Sequence, residues 1–451
     1  MSNDVASDVD LDNKLEANQI LFSGAYSKSQ IIPTLKLIAD EPEYDSELFG
    51  YTEYSDRLYN LMINSLPDKP FAICLHGKPG DGKTSLLHRI YNKFQQDSQT
   101  RDTQAIWFDA WNYERLEPAF ILMTKILNTY PNKTEGREKV LGILRSLSVL
   151  YYGANFESRP ESAQTVQNIR LKEVVDDLDE ISKIIDTIIG SGKLFIFIDH
   201  LDRCKPDTIN EVLRTISMHF SSSKIRFIVG ADMEKLENSS QSGLANKASS
   251  STDEGTRIDK VFQLRLAMPE KDAKMMEEYI EKLCVLFPPE IKRFLAQSLP
   301  RNPRQAKEAV NLAFYVSSIA SEDEFGTVLP YILIWSILST SFYRLSRMIR
   351  DDPEVLLDLS ILTAQTRDFA SFSDIMGMTE GDEKLFRINM NIAIGSVSPL
   401  AIELCRSHVR HNKALYDFLK SINKPLRLDE QSRSERADGL KRSLRYVSLA
   451  S

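Results

Sequence analysis

One eight-residue segment constrains the fold of this chain more than any other feature. Gly77–Thr84 reads Gly-Lys-Pro-Gly-Asp-Gly-Lys-Thr and fits the pattern G-x-x-x-x-G-K-[ST] at every position. A short apolar run, Phe71–His76, precedes it, and a helical pattern over Ser85–Phe94 follows it. In this context backbone N–H groups and the positive end of the helix point at the same place, which favours phosphate binding. The segment therefore predicts a nucleotide site.

Two side chains of this phosphate loop carry chemistry. The Lys83 ammonium is expected at the β- and γ-phosphates, and the Thr84 hydroxyl is expected to be a ligand of Mg²⁺. The expected cofactors are therefore ATP and Mg²⁺. The predicted nucleotide contacts within the segment are Gly77, Gly80, Asp81, Gly82, Lys83, Thr84 and Ser85.

A carboxylate ends another apolar run, Leu194–Asp199. We predict that Asp199 holds Mg²⁺ together with Thr84, in part through water, because this hard cation prefers oxygen ligands and keeps part of its hydration shell. Lys83 and Asp199 are the first two predicted catalytic residues.

The residues after Asp199 leave several roles open. Many related ATPases have an acid directly after the metal ligand, but this chain has His200. We interpret His200 as a turn or interface residue, and the alternative is that it acts as a base. Asp202 remains the candidate general base, and the alternative is that it orders the loop through an ion pair with Arg203. Arg203 could contact the γ-phosphate in cis or on a neighbouring subunit.

Apolar runs that alternate with helical patterns set the fold class. The pattern predicts a parallel α/β sheet, since strands alternate with helices. After Met268 no strand pattern recurs and amphipathic helical patterns continue. We therefore predict a P-loop NTPase parallel sheet with a helical insertion, followed by an all-helical C-terminal domain. The predicted strands are Phe71–His76, Ala105–Phe108, Leu194–Ile198 and Ile225–Val229.

Composition shifts suggest the domain boundaries. The core should contain a helical insertion at about 115–190 and a flexible loop, rich in Ser, Gly and Asn, at 238–256. The predicted segments are 1–44, an acidic and partly disordered N-terminus; 45–270, the P-loop NTPase core; 271–423, the helical domain; and 424–451, a mixed-charge tail.

Overall composition excludes several classes of protein. With 56 Lys and Arg against 64 Asp and Glu, the 451-residue chain has a formal net charge of -8, which argues against a protein built to coat nucleic acid. Its four cysteines lie far apart, so a disulfide framework or a zinc knuckle is not expected. We expect a cytoplasmic location.

Two local features have competing interpretations. Gly326–Tyr343 carries no charge, but Pro330 and several Ser and Thr residues favour a buried core helix over a membrane span. Arg406–Lys413 is a local basic cluster, for which a solvated face is the default interpretation and contact with a nucleic-acid backbone the alternative.

Several segments together resemble the KAP family of P-loop NTPases over about residues 45–315. The resemblance implies that Phe49 and Gly50 lie near the adenine. It also implies that Arg304 is a sensor arginine for the γ-phosphate, although a surface helix arginine is the alternative. The segments that carry the resemblance are Asp45–Asp56, Trp107–Glu114, Ile198–Cys204, Asp259–Gln263 and Asn302–Lys307 with Asn311.

Departures from the family pattern shape the functional expectation. His200 stands where the family usually has a second Asp, and Lys78-Pro79 where it often has Trp-Gly. Many members carry transmembrane helices in the insertion, but the insertion of this chain is charged and cannot cross a bilayer. The chain thus resembles a soluble member related to bacterial phage-exclusion proteins.

The resemblance implies a Mg²⁺-dependent ATPase that acts as a nucleotide-driven switch in a prokaryotic antiphage defence system. Protein partners and a homo-oligomer are expected with it. The alternatives are an ATP-loaded scaffold that does not hydrolyse its nucleotide, and an ATPase stimulated by nucleic acid.

Overall fold

The chain folds into two compact units. One comprises Pro42–Glu270, and the other combines Met1–Glu41 with Lys271–Ser451. The computed structural model describes residues 26–31, 37–41, 48–64, 69–97, 102–114, 118–130, 183, 185–219, 222–242, 257–285, 287–377, 397–423 and 430–450.

The first unit is built on a parallel sheet with strand order β2-β3-β4-β1-β5. The four predicted strands are all present, and the predicted parallel sheet is confirmed. The fifth strand, β5, was not predicted. It has four residues and pairs only with β1 at the edge of the sheet. The strands are β1 (Phe71–His76), β2 (Thr103–Asp109), β3 (Lys193–Asp199), β4 (Ile225–Ala231) and β5 (Leu264–Ala267).

Apolar runs form the central strands because both faces of a parallel sheet are covered. In β3 every residue from Leu194 to Asp199 is buried, and in β4 every residue is buried. The helices of this unit are α1 (Tyr51–Asn64), α2 (Lys83–Asp97), α3 (Pro118–Thr129), α4 (Pro206–Arg214), α5 (Met233–Ser242) and α6 (Arg257–Val261).

Two predicted segments lie only partly within the described residues. Of the predicted insertion, α3 and residues 185–189 are helical, and 131–182 lie outside the described residues. Of the predicted flexible loop, residues 238–242 belong to α5, and 243–256 lie outside the described residues. The Ser and Asn residues at the end of α5 therefore continue a helix that begins at Met233.

The second unit is helical in all of its described elements, which agrees with the predicted helical region. Its longest apolar helix, α10, keeps Pro330 within it. Besides a single helical turn at Lys28–Ile31, the helices are α7 (Ala273–Leu283), α8 (Pro289–Ser298), α9 (Pro303–Ile319), α10 (Glu322–Ser341), α11 (Tyr343–Met348), α12 (Val355–Ala364), α13 (Phe369–Met376), α14 (Pro399–Ser407), α15 (Lys413–Asn423) and α16 (Glu430–Ala450).

Helix α10 is a core helix, as its composition suggested. Residues 328–338 are buried without interruption, so the helix is covered on all sides. A helix that is apolar all round needs such cover. Among the helices in the described ranges, none has the length and apolar character needed to cross a membrane.

Helix α16 covers part of α10. Trp335 Nε1 donates a hydrogen bond to the Leu440 carbonyl oxygen at 3.3 Å, and Gly439 leaves room for the Tyr331 ring. The charged residues of α16 alternate with a narrow buried stripe that includes Ala437 and Leu440. The structure thus gives a helix to most of the segment that the sequence suggested as a mixed-charge tail.

An N-terminal segment is held by α9. Asn311 makes two hydrogen bonds with the main chain of Ile38: its Oδ1 accepts from the amide at 2.7 Å, and its Nδ2 donates to the carbonyl at 2.8 Å. Lys307 Nζ donates to the Glu41 carbonyl oxygen at 3.2 Å. The N-terminal residues 37–41 therefore belong to the helical unit.

Candidate nucleotide-binding site

The phosphate loop joins β1 to α2 through two glycines in the left-handed region. Gly80 and Gly82 both have φ of +88°. A Cβ atom at Gly82 would also lie 2.4 Å from the Tyr51 hydroxyl. Only glycine combines this backbone conformation with that close approach.

The Lys83 side chain contacts the main chain of the phosphate loop. It is largely buried (7% exposed), and its Nζ donates to the carbonyl oxygens of Gly77 at 2.7 Å and Lys78 at 3.1 Å. The ammonium group is thus held by main-chain carbonyls of the loop, and its contact with a phosphate stays a prediction.

Asp81 braces the loop from within. Its Oδ2 accepts a hydrogen bond from the Lys78 amide at 2.7 Å, and its own amide donates to the Lys78 carbonyl at 3.1 Å. The Tyr51 hydroxyl donates to the Asp81 carbonyl at 2.7 Å. Burial, and secondarily the Asp81 charge, raises the pKa of Tyr51 well above its ordinary value. Tyr51 was not predicted, since no local pattern marks a tyrosine that supports a loop thirty residues away.

Asp199 presents a buried oxygen without a hydrogen bond. It ends β3 with 1% of its surface exposed, and within the described residues its Oδ2 accepts no hydrogen bond. A buried carboxylate oxygen in this state is costly unless a cation pairs with it. Gly230 of β4 leaves room beside it, because a Cβ there would lie 3.2 Å from Asp199 Oδ1. Thr84 and Asp199 are thus hard oxygen donors that fit Mg²⁺.

The His200 ring lies beside Thr84 and Asp199. Its Nε2 lies 3.5 Å from Thr84 Oγ1 and 3.5 Å from Asp199 Oδ2. The residue has φ of 59° and caps the turn that follows β3, so the interpretation as a turn residue agrees with its backbone. Its side chain lies beside Thr84 and Asp199, and a role as a base stays a prediction.

Asp109 contacts the other nitrogen of that ring. His200 Nδ1 lies 3.0 Å from Asp109 Oδ2, while Asp109 Oδ1 accepts from the Trp111 and Asn112 amides at 3.1 and 3.2 Å. The parallel register pairs Asp109 with Asp199. Asp109 was missed as a site residue, although its position at the end of an apolar run matches that of Asp199.

Asp202 and Arg203 lie in a 3-10 turn (Leu201–Arg203) after the His200 cap. No ion pair within 4 Å joins them among the described residues, so the alternative role for Asp202 is not seen. The Arg203 guanidinium instead stacks over the Trp111 ring, 5.6 Å from its centroid, and Trp111 is 51% exposed. Asp202 as a base and Arg203 as a γ-phosphate contact stay predictions.

Phe49 and Gly50 lie directly before α1. Phe49 is buried with φ of 63°, and its ring centroid lies 5.7 Å from that of Tyr51. Gly50 has φ of 66°. The pair is therefore linked to the phosphate loop through Tyr51, and contact with adenine stays a prediction.

Arg304 belongs to the helical unit. Its Nε lies 2.7 Å from Asp40 Oδ2, and its backbone amide donates to Asn302 Oδ1, the N-cap of α9. Its role as a sensor of the γ-phosphate stays a prediction.

The basic cluster at residues 406–413 does not form one helix face. Helix α14 ends at Ser407, a 3-10 turn covers Val409–His411, and α15 begins at Lys413. Arg406 and Arg410 are only partly exposed. Contact of this cluster with nucleic acid stays a prediction.

A lysine, a hydroxyl and a buried carboxylate beside a glycine-rich turn, at one edge of a parallel sheet, define the class of P-loop NTPases. The profile of the KAP family P-loop domain matches residues 51–317, more than half of the chain. The chain therefore belongs to the KAP family of P-loop NTPases.

Several solved structures resemble the chain at low sequence identity. Their TM-scores are all under 0.5. No curated protein matches the chain. The ORC2 protein of Aeropyrum pernix has a TM-score of 0.36 at 13% identity, covering 96% of this chain and 98% of that one. The Walker-type ATPase of Pyrococcus abyssi has 0.35 at 12%, covering 82% and 99%. Domain III of the replication initiation protein DnaA from Thermotoga maritima has 0.32 at 14%, covering 65% and 97%.

Proposed function

We propose that this KAP-family NTPase binds ATP with a divalent cation and hydrolyses it slowly. The observation that carries the proposal is the buried Asp199 oxygen, which accepts no hydrogen bond within the described residues. Asp199 lies at the carboxyl end of β3, and the phosphate loop follows the carboxyl end of the parallel strand β1. A cation bound there neutralises phosphate charge. Thr84 and Asp199 would hold it.

The remaining residues have roles toward the phosphates. The backbone N–H groups of Gly80, Gly82 and Thr84 would donate to the phosphates, and the Lys83 side chain would supply a cation at the β- and γ-phosphates. Asp202 is the proposed base for the attacking water. Arg203 or Arg304 would contact the γ-phosphate, and a conformation in which they do so would be favoured by ATP over ADP.

The proposed biological role is a nucleotide-driven switch in a prokaryotic antiphage defence system. The resemblance of the KAP motifs to phage-exclusion relatives supports it. Partner proteins and a homo-oligomer are part of the proposal, since any toxic output would arise from a partner or from assembly. All four cysteines are free and buried, which supports a reducing, cytoplasmic location.

A second candidate function is an ATP-loaded scaffold that barely hydrolyses its nucleotide. His200 favours it, because an imidazole held by Asp109 occupies the place where related ATPases have the acid that polarises water. In this case ATP binding alone would drive assembly with a partner.

The test is ATP turnover with Mg²⁺, measured on wild type, Lys83→Ala and Asp202→Ala, with the native mass in each nucleotide state. Lys78→Ala is the matched control, because Lys78 lies in the same loop but uses only its backbone groups there. Loss of turnover in both test variants, with the control active, supports an ATPase that uses Asp202. Failure of wild type to bind ATP would refute both candidate functions.

His200→Asp separates the two candidates. The substitution fits the left-handed backbone, which Asp tolerates better than most residues. If wild type is a scaffold, it retains ATP uncleaved and the variant gains turnover. An unchanged low rate in the variant would count against His200 as the cause.

A further inference from the structure

We propose that His200 is itself a metal ligand, oriented by Asp109, and that the cation site with Thr84 and Asp199 takes a first-row transition cation in preference to Mg²⁺. This inference rests on the proposed nucleotide site. It concerns which cation that site holds, and through which atoms.

The His200 ring has the arrangement of a metal-ligating histidine. Metal-bound imidazoles almost always give their second nitrogen to a carboxylate or carbonyl oxygen, which fixes the ring. Here Nδ1 lies 3.0 Å from Asp109 Oδ2, and the ring is mostly buried. Asp109 is held in turn by the Trp111 and Asn112 amides on its other oxygen. The ring is thus fixed before any cation binds.

The free edge of the ring faces the two predicted oxygen ligands. In the tautomer in which Nδ1 donates its hydrogen to Asp109, Nε2 is an acceptor. It lies 3.5 Å from Asp199 Oδ2, another acceptor, which has no hydrogen bond within the described residues. Two acceptors that face each other at 3.5 Å repel unless a proton or a cation lies between them. A cation would satisfy both atoms and the Thr84 hydroxyl.

The spacing suits a shared cation. Neighbouring ligands of an octahedral ion with bonds of about 2.1 Å lie about 3 Å apart. Nε2 lies 3.5 Å from both Thr84 Oγ1 and Asp199 Oδ2, so a contraction of about half an ångström would bring each of these oxygens to that separation from Nε2.

The nitrogen donor decides which cation is preferred. Mg²⁺ favours oxygen ligands, whereas imidazole suits transition metals, whose affinity at mixed sites rises from Mn²⁺ upward. The usual acid of the family would keep the site all-oxygen. His200 therefore shifts the preference away from Mg²⁺.

Mn²⁺ is the probe for the experiment, with a non-hydrolysable ATP analogue. Pulsed EPR of wild type should show hyperfine coupling from a directly bound ¹⁴N nucleus. The coupling should vanish in His200→Asp and persist in His76→Asn, the matched control, because His76 ends β1 beside the loop and neither site contact involves its side chain.

Asp109→Asn tests the positioning role. The amide keeps the oxygen that caps the following turn but can no longer accept from Nδ1, so Mn²⁺ affinity should fall about 10- to 100-fold. In His200→Asp the ratio of Mn²⁺ to Mg²⁺ affinity should fall about tenfold or more. Metal titrations of the nucleotide complex measure both.

Two outcomes are distinguishable. If wild type binds the analogue and Mn²⁺ but shows no ¹⁴N coupling, or if Mn²⁺ and Mg²⁺ compete equally in wild type and His200→Asp, His200 is not a ligand and the nucleotide site stands. If wild type binds no nucleotide with either metal, the proposed function itself fails.

Discussion

At the scale of single residues, Tyr51 is the clearest support of the phosphate loop. Tyr51→Phe removes the hydrogen bond to the Asp81 carbonyl and should lower the free energy of unfolding by about 0.5–1.5 kcal/mol. It should also weaken ATP binding, because the loop loses its brace. Urea unfolding and equilibrium binding measure the two effects. Tyr54→Phe is the control, since its hydroxyl makes a long 3.3 Å contact with Ala267; equal effects of both variants would contradict the role of Tyr51.

Burial also sets the chemistry of the cysteines. It raises the pKa of Cys74, Cys204 and Cys284 to about 12 each. The thiols therefore stay protonated in the folded chain, and folding stability falls as the pH rises above 9.0, where unfolded thiols ionise.

The expected result is slow reaction of the native protein with a thiol reagent at pH 8, and fast reaction in denaturant. All four cysteines are buried, so labelling should follow unfolding. A cysteine that reacts fast in the native protein, located by mass spectrometry of peptides, would contradict its burial.

At the scale of elements, α9 holds the segment 37–41 through side chains one turn apart. Asn311→Ala removes both hydrogen bonds to Ile38 and should cost about 1–3 kcal/mol. Hydrogen exchange at the Ile38 amide should become faster. Ser318→Ala is the control on the same helix, because its hydroxyl bonds only within the helix. Unchanged exchange at Ile38 in Asn311→Ala would show that other contacts hold the segment.

The elements also show how far the sequence could predict the structure. Four strands were predicted because fully apolar runs between helical patterns have few alternatives in an α/β chain. Strand β5 was missed because its four residues, Leu264–Ala267, are too short to show a clear alternation. Helix α16 was obscured by its charges, since only a narrow stripe of its surface is buried.

The site was predictable where chemistry is local in sequence. Gly77–Thr84 and Asp199 follow from motifs that are continuous in the sequence. The contact between His200 and Asp109 could not be predicted from a motif, because it depends on the register of β2 against β3, which is a tertiary property. Two apolar runs that both end in Asp were the available signal.

At the scale of the whole molecule, the helical unit contains a buried charge that ties α16 to α12. Asp358 is almost fully buried, and Arg433 and the Ser398 amide donate to its two oxygens. Burial raises the pKa of Asp358, and these two donors oppose that rise. The Ser398 amide and Arg433 thus both favour the ionised form of this buried carboxyl.

Arg433→Ala should destabilise the helical unit by up to about 3–5 kcal/mol at pH 7, because it leaves a buried charge uncompensated. A carboxyl group with a raised pKa is protonated more readily in the folded state, so the loss should shrink as the pH falls toward 3.8 and grow as it rises. Denaturation at several pH values measures it.

Lys441→Ala is the matched control for this prediction. Lys441 lies on the same helix and pairs with Glu354 at 2.8 Å, but both side chains are well exposed. Its loss should cost no more than about 1 kcal/mol. Equal losses of stability in the two variants would mean that the pair of Arg433 with Asp358 stabilises the fold no more than an exposed ion pair does.

The covering of α10 by α16 has a consequence for biosynthesis. The ribosome completes α10 well before it reaches Glu430, and chains emerge at about 5–20 residues per second. For several seconds the apolar side of α10 that carries Trp335 therefore lacks its partner helix. A translation stop between α10 and α16 would release a chain in which the apolar surface of α10 stays exposed. Chaperones and proteases should recognise such a chain.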